Sequence, residues 1–169
     1  VLLHQGRVVQ AGRPDAIYNA PATAWVARFL GLDNLLPATV LTSTPPRVGV
    51  PFGTLTLSKR KELPSEDTGG TLLIHPWGIH LHNATSDRVM ASDPSDNNDE
   101  TNTFSAQVQR RTFHGWVYEL TLTLQTDDAD NVTEASRIAK TSGELRLFCE
   151  PRHTLPEVGA TVTGWIEPD

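Results

Sequence analysis

At Leu35 the hydrophobic period of this chain changes from that of a helix to that of a strand. From there, apolar residues alternate with polar ones in short runs separated by turn-forming residues. Such runs can bury their apolar sides only by laying strands over one another. Leu55 and Leu57 alternate with Thr54, Thr56 and Ser58, and Leu72 and Ile74 follow the same rule. Ile79 and Leu81 alternate with His80 and His82, while Phe104, Ala106 and Val108 alternate with Ser105, Gln107 and Gln109. The clearest run is WVYELTLTLQ, which puts Trp116, Tyr118, Leu120, Leu122 and Leu124 on one face. Val117, Glu119, Thr121, Thr123 and Gln125 fall on the other. Leu145, Leu147 and Cys149 oppose Arg146, Phe148 and Glu150, and a last strand is predicted over residues 161–166. An antiparallel barrel or sandwich is the implied class.

The first 34 residues read differently. Val1–Leu3 and Arg7–Gln10 form two short strands around His4-Gln5-Gly6, with Gly6 free to take a positive φ. Pro14 suits the first turn of a helix and Asp15 its dipole, and that helix ends near Asn19-Ala20-Pro21. Pro21 is taken to open a second helix, with Trp25, Val26, Phe29 and Leu30 on one stripe and Gly31 just past its end. Two stretches interrupt the later pattern. Residues 84–102 are polar and acidic and are expected to form a mobile loop, and a shorter polar break runs from Lys59 to Gly70. No repeat of fixed period is present.

Charge and composition exclude several functions. A net charge of −6 and a pI near 5.4 oppose broad nucleic-acid binding, which needs a cationic face. No apolar run approaches the roughly 18 residues of a membrane span, and the N-terminus lacks the layout of a signal peptide. The single Cys149 excludes an internal disulfide. Met90 is the only methionine, so the opening at Val1 reads as excision from a longer chain.

Chemistry-bearing motifs are sparse. There is no G-x4-G-K-[ST] and no G-x-G-x-x-G, and none of the three lysines (Lys59, Lys61, Lys140) follows a phosphate-binding loop. His75, His80 and His82 are weak metal candidates. The last two share a strand face, but that face is polar and no nearby carboxylate or cysteine completes a set. The stretch from Asp93 to Glu100 resembles a calcium loop only in composition, with Asn98 in place of the turn glycine and Phe104 in place of the closing acid. Cys149 and His153 make a poor nucleophile pair, because Cys149 lies on the apolar side of its strand. Asn83-Ala-Thr85 and Asn131-Val-Thr133 have the form of glycosylation sequons and matter only in a secreted chain. Trp25, Trp77, Trp116 and Trp165 are read first as packing residues.

The opening segment resembles the end of the nucleotide-binding domain in ATP-binding-cassette importers of the maltose, polyamine, sulfate and ferric-iron type. The residues that carry the likeness are Gly6, Arg7, Val8, Gln10, Gly12 and Pro14, then Ile17, Tyr18 and Pro21, then Val26, Ala27, Phe29, Leu30, Gly31 and Asn34. The remainder is similar to the regulatory extension of those ATPases, an oligonucleotide-binding-like (TOBE) β-barrel. LLIHPWGIHL, the FSAQVQRRTFHGWVYELTLTL pair with Phe113 and Gly115, and EVGATVTGWIEP carry that part. His75 replaces the usual arginine and Trp77 the usual acid.

The resemblance implies a mainly β fold with a short two-helix connector. Residues 1–33 would end an ATPase domain, and residues 34–169 would form the regulatory barrel. It implies a segment without catalysis of its own, with no cofactor or metal in this chain and with ATP and Mg bound in the full-length parent. It further implies a homodimer through the barrel, permease partners through the ATPase, and a place on the cytoplasmic face of the membrane without insertion. A barrel sensing a small oxyanion such as molybdate or sulfate is the alternative, disfavoured by the acidic charge and scarce lysines.

Overall fold

The change of period at Leu35 coincides with the first residue of the first long strand. In a computed structural model, residues 1–58, 63–82, 102–125, 143–151 and 155–168 are described. They begin with a hairpin, β1 (Leu2–His4) and β2 (Arg7–Gln10), whose turn residues Gln5 and Gly6 both take positive φ, 48° and 75°. Helices α1 (Pro14–Asn19) and α2 (Ala24–Phe29) follow. Pro14 occupies the first turn of α1 as expected. The start of α2 needs correction: it opens at Ala24 rather than Pro21, because the Thr23 hydroxyl accepts a 3.2 Å hydrogen bond from Val26 N and caps the helix there. Gly31, with φ 78°, sits just past its end.

Among the described residues, every strand after the helices pairs antiparallel. Strands β3 (Leu35–Ser43), β4 (Pro46–Val50), β5 (Gly53–Thr56) and β6 (Gly69–Leu73) form one sheet in the order β5-β4-β3-β6. A 3-10 turn at Pro76–Gly78 leads into the second sheet. There β7 (Ile79–Leu81), β8 (Thr103–Phe113), β9 (Tyr118–Gln125), β10 (Glu144–Cys149) and β11 (Thr161–Ile166) lie in the order β10-β9-β8-β11-β7. The two inner faces share one core. Leu36, Val40, Val48 and Leu55 come from the first sheet, and Ala106, Val108, Leu120, Leu122, Leu145 and Leu147 from the second. The mainly β, two-helix architecture fits an oligonucleotide-binding-like barrel.

Two buried asparagines close the seams between the sheets. Asn34, just before β3, donates from Nδ2 to Arg146 O at 2.7 Å and accepts from Arg146 N at 2.7 Å. Its carboxamide therefore pairs with edge strand β10 as a backbone peptide would. Asn102, just before β8, does the same on the other side. It accepts from Thr56 N at 2.8 Å, and its Nδ2 donates to Thr56 O at 2.9 Å and to Ile166 O at 3.2 Å. A direct backbone bond, Ser58 N to Pro168 O, extends that seam.

Two further expectations are corrected, and a third falls almost wholly outside the described residues. Trp116 is not on the apolar face of β9 but in the β8–β9 turn and exposed, while Val117 is buried. The turn, closed by His114 N donating to Val117 O at 2.9 Å and by Gly115 at φ 86°, reverses the parity there. Phe29 on α2 is exposed, and the buried positions of that helix are Val26 and Ala27. Residues 84–101 of the expected acidic loop lie outside the described residues, whereas Asn102 at its end is buried.

Removing either amide strands two backbone groups of its partner strand in the interior. Asn34→Ala is expected to lower the unfolding free energy by about 2–4 kcal/mol, and Asn34→Asp, which lacks the donor, by a similar amount. Urea unfolding followed by circular dichroism measures this; a loss below roughly 0.5 kcal/mol would show that the seam does not depend on the amide. Gly164 on β11 has no room for a side chain, since an added Cβ would lie 2.7 Å from Phe104 Cζ and against the His80 carbonyl. Gly164→Ala is expected to cost about 1–3 kcal/mol in the same assay.

Candidate functional site

The helical segment is fastened to the barrel by a small set of side chains, most of them named by the sequence. Gln10 leaves β2 and bridges the link between the helices, with Nε2 donating to Ala20 O at 2.9 Å and Oε1 accepting from Ala22 N at 2.8 Å. Gly12 lies beneath Ile17, where a Cβ would stand 3.5 Å from Ile17 Cγ1. Tyr18 on α1 reaches the barrel and packs against the His75 ring, with centroids 5.5 Å apart. Pro21 lies in the link, against the same region. At the end of the connector Asp33 meets the Arg146 guanidinium at 2.7 Å, beside the Asn34 clamp. Arg146 Nε also faces Glu119 at 3.9 Å, and Glu119 Oε2 is 3.0 Å from His114 Nε2. The Asp33–Arg146 pair is well exposed and contributes little alone; the three contacts together tie connector, β10 and the β8–β9 turn to one another.

The hairpin and α2 expose an apolar surface. Val1, Leu3, Val8 and Phe29 are all exposed. Trp25 stacks between His4, at 4.1 Å, and Phe29, at 5.3 Å. Gly6, the remaining motif residue here, shapes the hairpin turn.

A second exposed cluster lies on the barrel. Trp77 stacks on Trp116 at 6.5 Å and packs on Phe148 at 5.1 Å. Phe148, on the side of β10 opposite Leu145 and Leu147, is half-buried and in contact with Trp77. Phe113 packs on Tyr118 at 4.8 Å, and Arg111 lies over the Tyr118 ring at 5.9 Å.

The three histidines do not converge. His80 Nε2 is 3.0 Å from Glu167 Oε1 and its ring stacks on Trp165 at 4.3 Å. His82 is held through its backbone N–H, which donates to Thr163 O at 2.8 Å. His75 faces Tyr18 instead, and its Nε2 is buried with no hydrogen-bond partner among the described residues. Among those residues no group of three or more His, Cys, Asp or Glu could hold a metal. Glu167 is a carboxylate partner that sequence proximity could not reveal, being 87 positions from His80. His153 of the nucleophile pair, the three lysines, both sequon asparagines and Asp93–Glu100 lie outside the described residues.

A half-open cavity of about 910 Å³ runs between the link of the two helices and the β6 edge of the barrel. Tyr18, Pro21, Val40, Leu55, Ile74 and His75 are among its walls. Among the described residues that line it there is no Lys or Arg.

No family model matches the chain. It is 36% identical over 85 residues, half of its length, to the Fe(3+) ions import ATP-binding protein of Streptomyces avermitilis. A spermidine/putrescine import ATP-binding protein of Borreliella afzelii is 24% identical over 151 residues, 89% of the chain. The chain is thus similar to ATP-binding subunits of importers, in one relative across nearly its whole length. A shorter match, 31% identical over 83 residues, is to the corresponding Fe(3+) ions protein of Streptomyces coelicolor. These alignments span 23%, 38% and 21% of the three relatives, so the chain corresponds to well under half the length of each. No described helix is long and apolar enough to cross a membrane.

Burial pushes the Cys149 thiol up to about 11. A raised value means less thiolate at any given pH, so Cys149 is a poor nucleophile in the folded chain. At pH 8 its reaction with a thiol-specific disulfide reagent is expected to run on the order of a hundredfold slower than that of a free cysteine, and to become fast on adding denaturant. Equal rates before and after unfolding would show an open, reactive thiol.

Proposed function

We propose that this chain is the C-terminal segment of the ATP-binding subunit of an ABC importer. In this reading residues 1–33 complete the ATPase domain, and residues 34–169 form a TOBE-type regulatory barrel. The observation that carries the proposal is the span of the similarity, which in the polyamine-importer relative runs over both the helical connector and the barrel. The exposed Leu3, Val8 and Phe29 add support, because a hairpin with an unpartnered apolar face is what a terminal piece of a larger domain presents. The segment does no chemistry itself. ATP and Mg are bound by the parent subunit, which works with permease subunits at the cytoplasmic face of the membrane.

The barrel's role in this reading is to pair with its twin and hold two ATPase subunits together through their cycle. The exposed rings of Trp77 and Trp116 are the natural contact, being large, apolar and stacked on each other beside Phe148. The polar contacts from His114 through Glu119 and Arg146 to Asp33 then link that surface to the connector.

Two measurements test the proposal. The coding frame upstream of Val1 is expected to encode roughly another 200 residues, about one domain, with a G-x4-G-K-[ST] loop; a frame starting near Val1 would overturn the fragment reading. In sedimentation equilibrium the chain is expected to dimerise, and Trp116→Glu to weaken the dimer at least about tenfold. A monomer at all concentrations, or a dimer indifferent to Trp116→Glu, would remove the barrel surface from the assembly.

A further inference from the structure

The barrel is built twice on one plan. Asn34 precedes β3 and Asn102 precedes β8; a hairpin partner and a third strand follow each, and a fourth strand pairs back on the first. The order β5-β4-β3-β6 therefore matches β10-β9-β8-β11. The backbone hydrogen bonds match as well. Asn34 O accepts from Ile74 N and Asn102 O from Ile166 N, both at 3.0 Å. Val40 N donates to Thr68 O at 3.1 Å, and Val40 O accepts from Asp67 N at 2.8 Å. In the other half Val108 N donates to Ala160 O at 2.9 Å, and Val108 O accepts from Gly159 N at 2.8 Å. Asp67 and Gly159 both take positive φ, 63° and 90°. The register shift that follows Val40 recurs after Val108. The interval between matching residues is wider for Ile74 and Ile166 than for Asn34 and Asn102, so the likeness has no fixed period in the sequence.

The two halves differ at one edge. In the second, β7 lies along the outer side of β11, with Ile79 opposite Ile166, His80 opposite Trp165 and Leu81 opposite Gly164. His82 N donates to Thr163 O at 2.8 Å, and Glu167 N to Gly78 O at 2.9 Å. The matching edge in the first half is β6, and among the described residues only β3 pairs with that strand. Ile74 N is directed to the β3 side, so by alternation Thr71, Leu73 and His75 turn their backbone groups outward. They match Thr163, Trp165 and Glu167, the residues that receive β7. Gly69, Gly70 and Thr71 are exposed, and Val40, Leu55 and Ile74 wall an apolar trough along this edge. An unpaired edge beside an apolar trough is the layout that accepts an added strand.

We propose that the β6 edge binds an extended segment of a partner polypeptide, antiparallel to β6, with apolar residues at two alternate positions. Its backbone pairs with Thr71, Leu73 and His75. Its two apolar side chains, opposite Leu72 and Ile74, enter the trough as Leu81 and Ile79 enter the core of the second half. The residue between them faces outward and is free to be polar, as His80 is. The site depends on the barrel alone, not on dimerisation or on what precedes Val1.

The probe is a synthetic peptide, Pro-Trp-Gly-Ile-His-Leu-His, which copies residues 76–82. Titrated into the isotope-labelled whole chain, it is expected to bind saturably, one peptide per chain, and to shift the amide signals of Thr71, Leu73 and His75. Methylating the peptide nitrogen at the position of His80 removes a donor to Leu73 and is expected to weaken binding at least about tenfold. Replacing the peptide's Ile and Leu by Asp is expected to abolish it. Thr71→Pro in the chain removes an outward N–H while leaving the β3 side paired, and is expected to weaken binding as the methylated peptide does. The proposal is overturned by no saturation at about 1 mM peptide, by equal binding of the methylated peptide, or by wild-type affinity in Thr71→Pro with circular dichroism intact. Shifts at Thr163 and Trp165 in place of the β6 signals would overturn it too, since they put the peptide on β11. If Thr71→Pro fails to fold, the methylated peptide and the amide signals decide.

Discussion

Two carboxamides stand in for backbone where the two sheets of this barrel meet. A sheet of limited width leaves unpaired N–H and C=O groups along its edges, and a buried edge cannot leave them so. Asn34 answers this on β10 and Asn102 on β5, each with a donor and an acceptor on the same residue of the facing strand. The side chain of Asn carries both roles in the spacing of a peptide unit. Asp lacks the donor and brings a charge, and Leu would leave both backbone groups bare. The remaining order depends on these two clamps, because the shared core of Leu36, Val48, Leu122 and Leu147 is enclosed only when the sheets are held face to face.

The clamp at Asn34 also fixes the helical segment. Asp33 on one side of it binds Arg146, and Leu32 on the other is nearly fully buried. The turn at Gly31 directs the chain from α2 into this anchor. Gln10 and Tyr18 then add two further ties, one to the link between the helices and one to His75. The helical segment thus meets the barrel through a short, hydrogen-bonded joint rather than a slack linker. The cavity lies at that joint.

Much of the fold was legible because strand periodicity needs only local sequence. Phe104, Ala106 and Val108, and Leu120, Leu122 and Leu124, are inward as their alternation predicts. Errors arose where a turn breaks the parity. Trp116 belongs by pattern to the apolar face of β9, but Gly115 and the His114–Val117 bond put it in the turn. Proline misled at Pro21, since a proline can precede a helix as well as open it; the Thr23 hydroxyl sets the start. Asn34 could be singled out through its place in a family motif. Asn102 carried no local signal and sits at the end of an acidic run that reads as loop.

The sequence by itself determined the class of the chain: a β-rich body, a helical preface, no phosphate-binding loop and a motif string shared with importer ATPases. The first two follow from period and turn residues, and the last two from short motifs read against known families, all of them local features. Only the tertiary structure decided which polar residues matter. It joined Asn34 to Arg146 across 112 positions and Asn102 to Ile166 across 64. It also gave His80 a carboxylate and left His75 Nε2 buried with no hydrogen-bond partner among the described residues. Hydrogen bonds between distant strands depend on how the sheets close, and closure is a property of the whole chain.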